Sequence, residues 1–101
     1  MHFRNVSGVV PTFHEEFVNT GYVDMYRAMQ LYYEIGFDGF FIDDHVPHTH
    51  GDTAWGHRGR AFANGYIQGL IQAVTQQAAA EGRQPGTLRD WQPAGAAVGA
   101  R

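Results

Sequence analysis

A chain of 101 residues with 44% hydrophobic and 14% aromatic content can build one small domain and is too apolar to be disordered throughout. Its formal net charge of −3, with no run of Lys or Arg, argues against a nucleic-acid partner. The absence of Cys excludes disulfides and thiolate metal sites within the chain and fits a reducing, cytoplasmic setting.

Residues Met1 to Asn5 are polar and basic without an apolar h-region, so they do not read as a secretory signal. No apolar run nears the roughly 20 residues that span a bilayer, so no membrane association is expected. Six His beside seven Lys and Arg is a high share, which directs attention to metal binding or proton transfer.

Met1 to Val10, MHFRNVSGVV, starts abruptly in polar residues. As the tail of a strand it carries His2 and Arg4 on one face and Phe3 and Asn5 on the other; the alternative is a frayed terminus. Ser7 to Gly21 is punctuated by Gly8, Pro11, Asn19, Thr20 and Gly21 and reads as a loop, with a helical turn over Phe13 to Phe17 inside it. His14 and Glu15 are candidates there for substrate contact, or for local hydrogen bonding in a surface loop. A loop of this length is uncommon unless it is functional or disordered.

Val23 to Ile35 predicts a helix, because Met25, Met29, Tyr32 and Tyr33 fall on one face. Asp24 suits its first turn and Gly36 its end. Arg27, Gln30 and Glu34 read as the solvated face. The stretch FDGFFIDDHVP follows, Phe37 to Pro47. Phe40, Phe41 and Ile42 run without alternation, as in a strand buried on both faces of a parallel sheet. Asp43, Asp44 and His45 come where that strand meets its loop, the end where α/β barrels do chemistry. They offer metal ligands or an acid/base pair, or else a turn that caps a helix.

His45, His48 and His50 spell H-x-x-H-x-H, a weak zinc signature without Cys. Trp55 in the same loop suits a lid, a stacking surface or a plug. Arg60 to Ala80 predicts a second helix with a stripe of Phe62, Tyr66, Ile67, Leu70, Ile71 and Val74, and with Gly65 and Gly69 allowing close approach to a sheet. Arg58 and Arg60 oppose the dipole at its start, which suggests an anionic partner: a substrate, the Asp43/Asp44 pair, or solvent alone. Residues 81–101 read as a largely disordered tail, with Leu88 and Trp91 docking locally.

Two parallel strands cannot cover both faces of a sheet, so the helices are left with bare apolar stripes. A (β/α)₈ barrel takes about 250 residues. The expectation is therefore an α/β chain holding the C-terminal part of a TIM barrel, about two β/α units over residues 1–80. The alternative is a small α+β module that dimerises or oligomerises through its bare faces, without catalysis.

H-F-R-N-V at His2 to Val6, F-H-E at Phe13 to Glu15, V-D-M-Y at Val23 to Tyr26, G-F-D-G at Gly36 to Gly39, D-H-V-P at Asp44 to Pro47 and G-R-A-F-A-N-G-Y at Gly59 to Tyr66 occur in this order. Together they resemble the C-terminal part of the D-mannonate dehydratase family, over about residues 1–75. The resemblance implies a barrel of the xylose-isomerase type and a lyase that removes water from D-mannonate to give 2-dehydro-3-deoxy-D-gluconate in glucuronate catabolism. It implies Fe²⁺ or Mn²⁺ held by His2 and Asp44, proton movement by His45, and a substrate carboxylate oriented by Arg4. His14 and Arg60 join Arg4 as substrate-binding candidates. A sugar isomerase or epimerase of the same barrel type is the competing enzyme.

Two departures follow from the resemblance. The family's other ligands, a His and a Cys, lie on earlier strands than any present here, so this chain alone is expected to be inactive and the full-length form to be the enzyme, with homo-oligomerisation open. Some relatives place an acid/base Tyr where Trp55 stands, and indole cannot exchange protons in this range.

Overall fold

The computed structural model describes residues 1–85. Its elements are β1 (Asn5–Val9), β2 (Thr12–Glu16), α1 (Met25–Glu34) and α2 (His57–Ala80).

The segment expected as a loop is a β-hairpin. β1 and β2 pair antiparallel from Asn5↔Glu16 to Val9↔Thr12, closed by Val10 and Pro11 across a cis peptide bond. Phe13 to Glu16 is accordingly strand rather than helical turn. The loop reading weighed Gly8 and Pro11 as breakers; here they shape one tight turn between two five-residue strands. Gly8 holds a left-handed φ of 83°, and a Cβ there would lie 2.5 Å from the Thr12 carbonyl oxygen.

The expected parallel strand over Gly39–Ile42 contracts to one parallel bridge, His2↔Ile42. The Phe3 N–H donates to the Ile42 carbonyl, and the Ile42 N–H to the Met1 carbonyl, each at 2.9 Å. Burial on both faces is not realised: Phe40 is 88% exposed, and Phe41 alone of the run turns inward against Phe3, Tyr32 and Phe37. Burial on both faces needs a sheet with packed layers on either side, and a single bridge builds no such sheet.

α1 starts on Asp24, whose carboxylate accepts from the Arg27 N–H at 3.0 Å. It stops in a Schellman motif. Gly36 takes φ 75°, its N–H reaches the Tyr33 carbonyl, the Phe37 N–H reaches Tyr32, and the Phe37 and Tyr32 rings meet at 5.3 Å. α2 ends the same way on Gly82, with Arg83 N–H on Ala78. Its start lies three residues earlier than expected, at His57.

The two helices pack along Met25 and Met29 of α1 and Ala63, Ile67, Leu70 and Val74 of α2, with Phe3 and Val18 closing the core. Phe62 and Ile71 flank that stripe and are exposed. Gly65 and Gly69 face open space, so they bring no sheet close; Gly59 instead lets the loop at Val46 and Pro47 approach, with Val46 Cγ2 3.1 Å from where its Cβ would stand. Glu34 is not on a solvated face: Arg83 covers it at 2.7 Å.

The fold is thus a small α/β unit of two strands and two helices, in which the strands form a hairpin rather than a parallel pair. Among the described residues no helix is long and apolar enough to cross a membrane. The expected docking of Leu88 and Trp91 lies outside the described residues.

Candidate functional site

The alternation expected for the first residues is realised. Phe3 and Asn5 point inward, at 2% and 1% exposure, while His2 and Arg4 project to the other side. The bridge to Ile42 sets His2 beside the segment that carries Asp43 to His45.

Five side chains meet there. His2 Nδ1 lies 3.0 Å from Asp44 Oδ1. Arg4 Nε lies 3.6 Å from Asp44 Oδ2, and its Nη1 forms a close ion pair with Glu15 Oε1. His45 stands between two carboxylates, with Nδ1 3.4 Å from Glu15 Oε1 and Nε2 3.8 Å from Asp44 Oδ2.

Asp44 is the centre of this cluster. It is the one described non-glycine residue with positive φ, at 57°. That left-handed conformation is uncommon outside glycine, is tolerated best by Asp and Asn, and concentrates at functional sites. Partial burial pushes the Asp44 carboxyl up; the hydrogen bond from His2 and the charges of His2, His45 and Arg4 outweigh it, and its pKa ends below the ordinary 3.8.

Asp43 faces elsewhere. Arg60 Nη1 donates to Asp43 Oδ1 at 2.8 Å and reaches the Asp44 carbonyl at 3.4 Å, while its Nε donates to the Trp55 carbonyl at 2.8 Å. Of the partners weighed for the Arg58/Arg60 pair, Arg60 takes Asp43. Its guanidinium ties α2 to the acidic turn and leaves little of its fork for a ligand. Trp55 is 74% exposed, beside a cleft of about 90 Å³ that Val46, His48 and Arg60 also line.

His14 is on the far face of the hairpin. The register pairs it with Ser7, and its charge acts on Glu16, not on the Asp44 cluster. His45, His48 and His50 do not converge: among the described residues no group of three or more His, Cys, Asp or Glu is placed to hold a metal ion. The H-x-x-H-x-H spacing therefore forms no zinc cluster among the described residues. A cavity of about 240 Å³ lies between the helices against Phe37 and Phe41, apolar and lined by none of the clustered residues.

The family model for D-mannonate dehydratase (UxuA) matches residues 1–81. The chain belongs to the D-mannonate dehydratase family. The mannonate dehydratase of Lactococcus lactis subsp. lactis (strain IL1403) is 32% identical over 82 residues, which cover 72% of this chain and 23% of that protein. The chain therefore spans about a quarter of the curated relative it matches. No solved structure matches it significantly.

Within this dehydratase-family segment, two residues that position the site, Asn5 and Asp52, escaped the sequence reading, and Glu15, read there as a substrate-contact candidate, takes a different place. Asn5 is buried under Gly21 and fastens the turn after β2: its Nδ2 donates to the Val18 and Val23 carbonyls, and its Oδ1 accepts from the Val6 and Val23 N–H groups. Asp52 caps α2, accepting from the N–H groups of Thr53, Arg58 and Gly59. Glu15 joins Arg4 to His45. The alternation of Val6-Ser7-Gly8 against Phe13-His14-Glu15 about Val10-Pro11 carried that last signal, since a hairpin there separates Glu15 from His14 by face.

Proposed function

We propose that this chain carries one wall of a mannonate dehydratase active site, in a cytoplasmic hydro-lyase that converts D-mannonate to 2-dehydro-3-deoxy-D-gluconate and water. Family membership and the 3.0 Å contact between His2 and Asp44 support this reading together.

The donor pair fits a divalent cation. Two ligands at about 2.0–2.2 Å from one ion, meeting near a right angle, stand about 3 Å apart. One imidazole nitrogen and one carboxylate oxygen suit Mn²⁺ or Fe²⁺, so His2 and Asp44 are the residues that would hold it. When bound, such an ion supplies Lewis acidity toward carboxylate and hydroxyl oxygens. With only two donors assembled, this chain alone is inactive, and the remaining barrel strands of the longer relatives supply the rest.

In the reaction a proton leaves C2 of the sugar acid and the C3 hydroxyl departs as water; the resulting enol becomes the 2-keto product. His45 is the acid/base group: it is half exposed, adjacent to Asp44, and an imidazole can both accept and donate a proton. Arg4 offers a planar fork to the substrate carboxylate from beside Asp44. Arg60 acts through Asp43, holding the turn that presents Asp44 and His45. His14, on the opposite face, has no place in this arrangement.

The test is an NMR titration with Mn²⁺, followed by D-mannonate. Paramagnetic broadening confined to His2, Asp44 and their neighbours, and mannonate-dependent shifts at Arg4 and His45 in a parallel sample loaded with diamagnetic Mg²⁺, are the expected result. Broadening centred on His48 and His50, or none below millimolar ion, refutes the assignment.

A further inference from the structure

Glu15, like Asp44, touches both the proton-transfer group and the substrate-orienting group, and it does so through a single oxygen. β2 presents it on the face shared with Val6 and Arg4, because Val6 pairs with Glu15 in register and side chains alternate along a strand. Its Oε1 takes Arg4 and His45 together. Its Oε2 is buried without a hydrogen-bond partner. A carboxylate oxygen shut off from water is costly to leave alone, so the charge is satisfied through Oε1, and reduced solvent access strengthens that hold. A neutral imidazole has one N–H, and a carboxylate beside Nδ1 selects the form that carries it there.

We infer that Glu15 is the positioning residue of the site: it sets Arg4 and His45 relative to one another and fixes His45 as the Nδ1–H tautomer, leaving Nε2, on the Asp44 side, as the atom that exchanges the proton. This rests on the role proposed for His45 and on the contacts of Glu15 with Arg4 and His45.

The experiment reads the His45 ring by ¹⁵N NMR on the metal-free chain at about pH 8, above the ordinary histidine range. The wild type gives a pyrrole-type signal at Nδ1. Glu15→Met, which keeps an unbranched side chain and replaces the carboxylate with a weakly accepting thioether, moves that signal to Nε2, and Glu15→Gln, which keeps one acceptor oxygen, restores most of it. A wild-type ring protonated at Nε2, or a Met variant with an intact hairpin and an unmoved Nδ1 signal, overturns the inference. Should the Met variant lose the hairpin, the wild-type ring decides alone by the same criterion. Because no ion or sugar acid is present, a failed Mn²⁺ titration leaves this result standing, and an unmoved ring leaves the ion pair of donors untouched.

Discussion

His2 Nδ1 and Asp44 Oδ1 meet at 3.0 Å because the backbone joins His2 to Ile42 in a parallel bridge and then turns Asp44 back through a positive φ. The bridge sets the distance between the two segments, and the left-handed residue sets the direction of the carboxylate. Replacing Asp44 with Asn keeps a side chain that tolerates this conformation while removing the anionic donor. The expected outcome is at least about a tenfold loss of Mn²⁺ affinity with little change in melting temperature, read by calorimetry and thermal circular dichroism. Unchanged affinity would refute the ligand role.

Chelation is expected to leave the fold intact. The core of Phe3, Met29, Ile67, Leu70 and Val74 involves neither donor, and a backbone bridge to Ile42 holds His2 in place. Addition of a chelator should leave helix content and melting temperature unchanged, in contrast to domains that fold only around their metal. A cooperative loss of helix on chelation would show that the donors stabilise the fold.

Arg60 reaches Asp43, the Asp44 carbonyl and the Trp55 carbonyl at once. Lys has the charge but not the fork. Arg60→Lys should therefore weaken Mn²⁺ binding several-fold by loosening the turn, with a stability cost of at most about 1 kcal/mol for a partly exposed pair. Equal ion affinity in the Lys variant would separate Arg60 from the site.

Asp52 links α2 to pH. Hydrogen bonds from backbone N–H groups, Arg58 first, outweigh the burial that raises its pKa and hold its carboxyl below the ordinary 3.8. A pKa depressed by folding stabilises the fold above the unfolded value, and this contribution is lost as pH falls through the folded one. Asp52→Ala should lower the melting temperature by a few degrees near neutral pH and converge on wild type in strong acid. A constant difference across pH would rule out the carboxylate as the cap.

Asn5 and Gly21 are matched. A Cβ on Gly21 would lie 2.3 Å from Asn5 Cγ and 2.7 Å from the Val6 carbonyl oxygen, which is backbone and cannot swing away. Gly21→Ala should cost about 1–3 kcal/mol, and Asn5→Ala a similar amount through unpaired groups on Val18 and Val23. The double variant should fall short of the sum in a denaturant cycle, because each change disrupts the same contact. Simple additivity would mean that the two act independently.

The helices were legible in the sequence because their signals are local. Met25, Met29, Ile67, Leu70 and Val74 recur at helical spacing, and Gly36 can hold the left-handed residue that ends α1. The alternation of His2 and Arg4 against Phe3 and Asn5 was legible for the same reason, as were the motifs of the dehydratase family. What the sequence left undecided was pairing. Phe40 to Ile42 has the apolar run of a buried strand, yet burial depends on neighbours that lie far away along the chain, and among the described residues only Met1 to Phe3 pairs with its backbone. Whether Glu15 or His14 reaches Arg4, and whether Arg60 meets Asp43 or solvent, depends on register and helix docking. Side-chain type states what a residue can bind; only the folded backbone states what comes within reach of it.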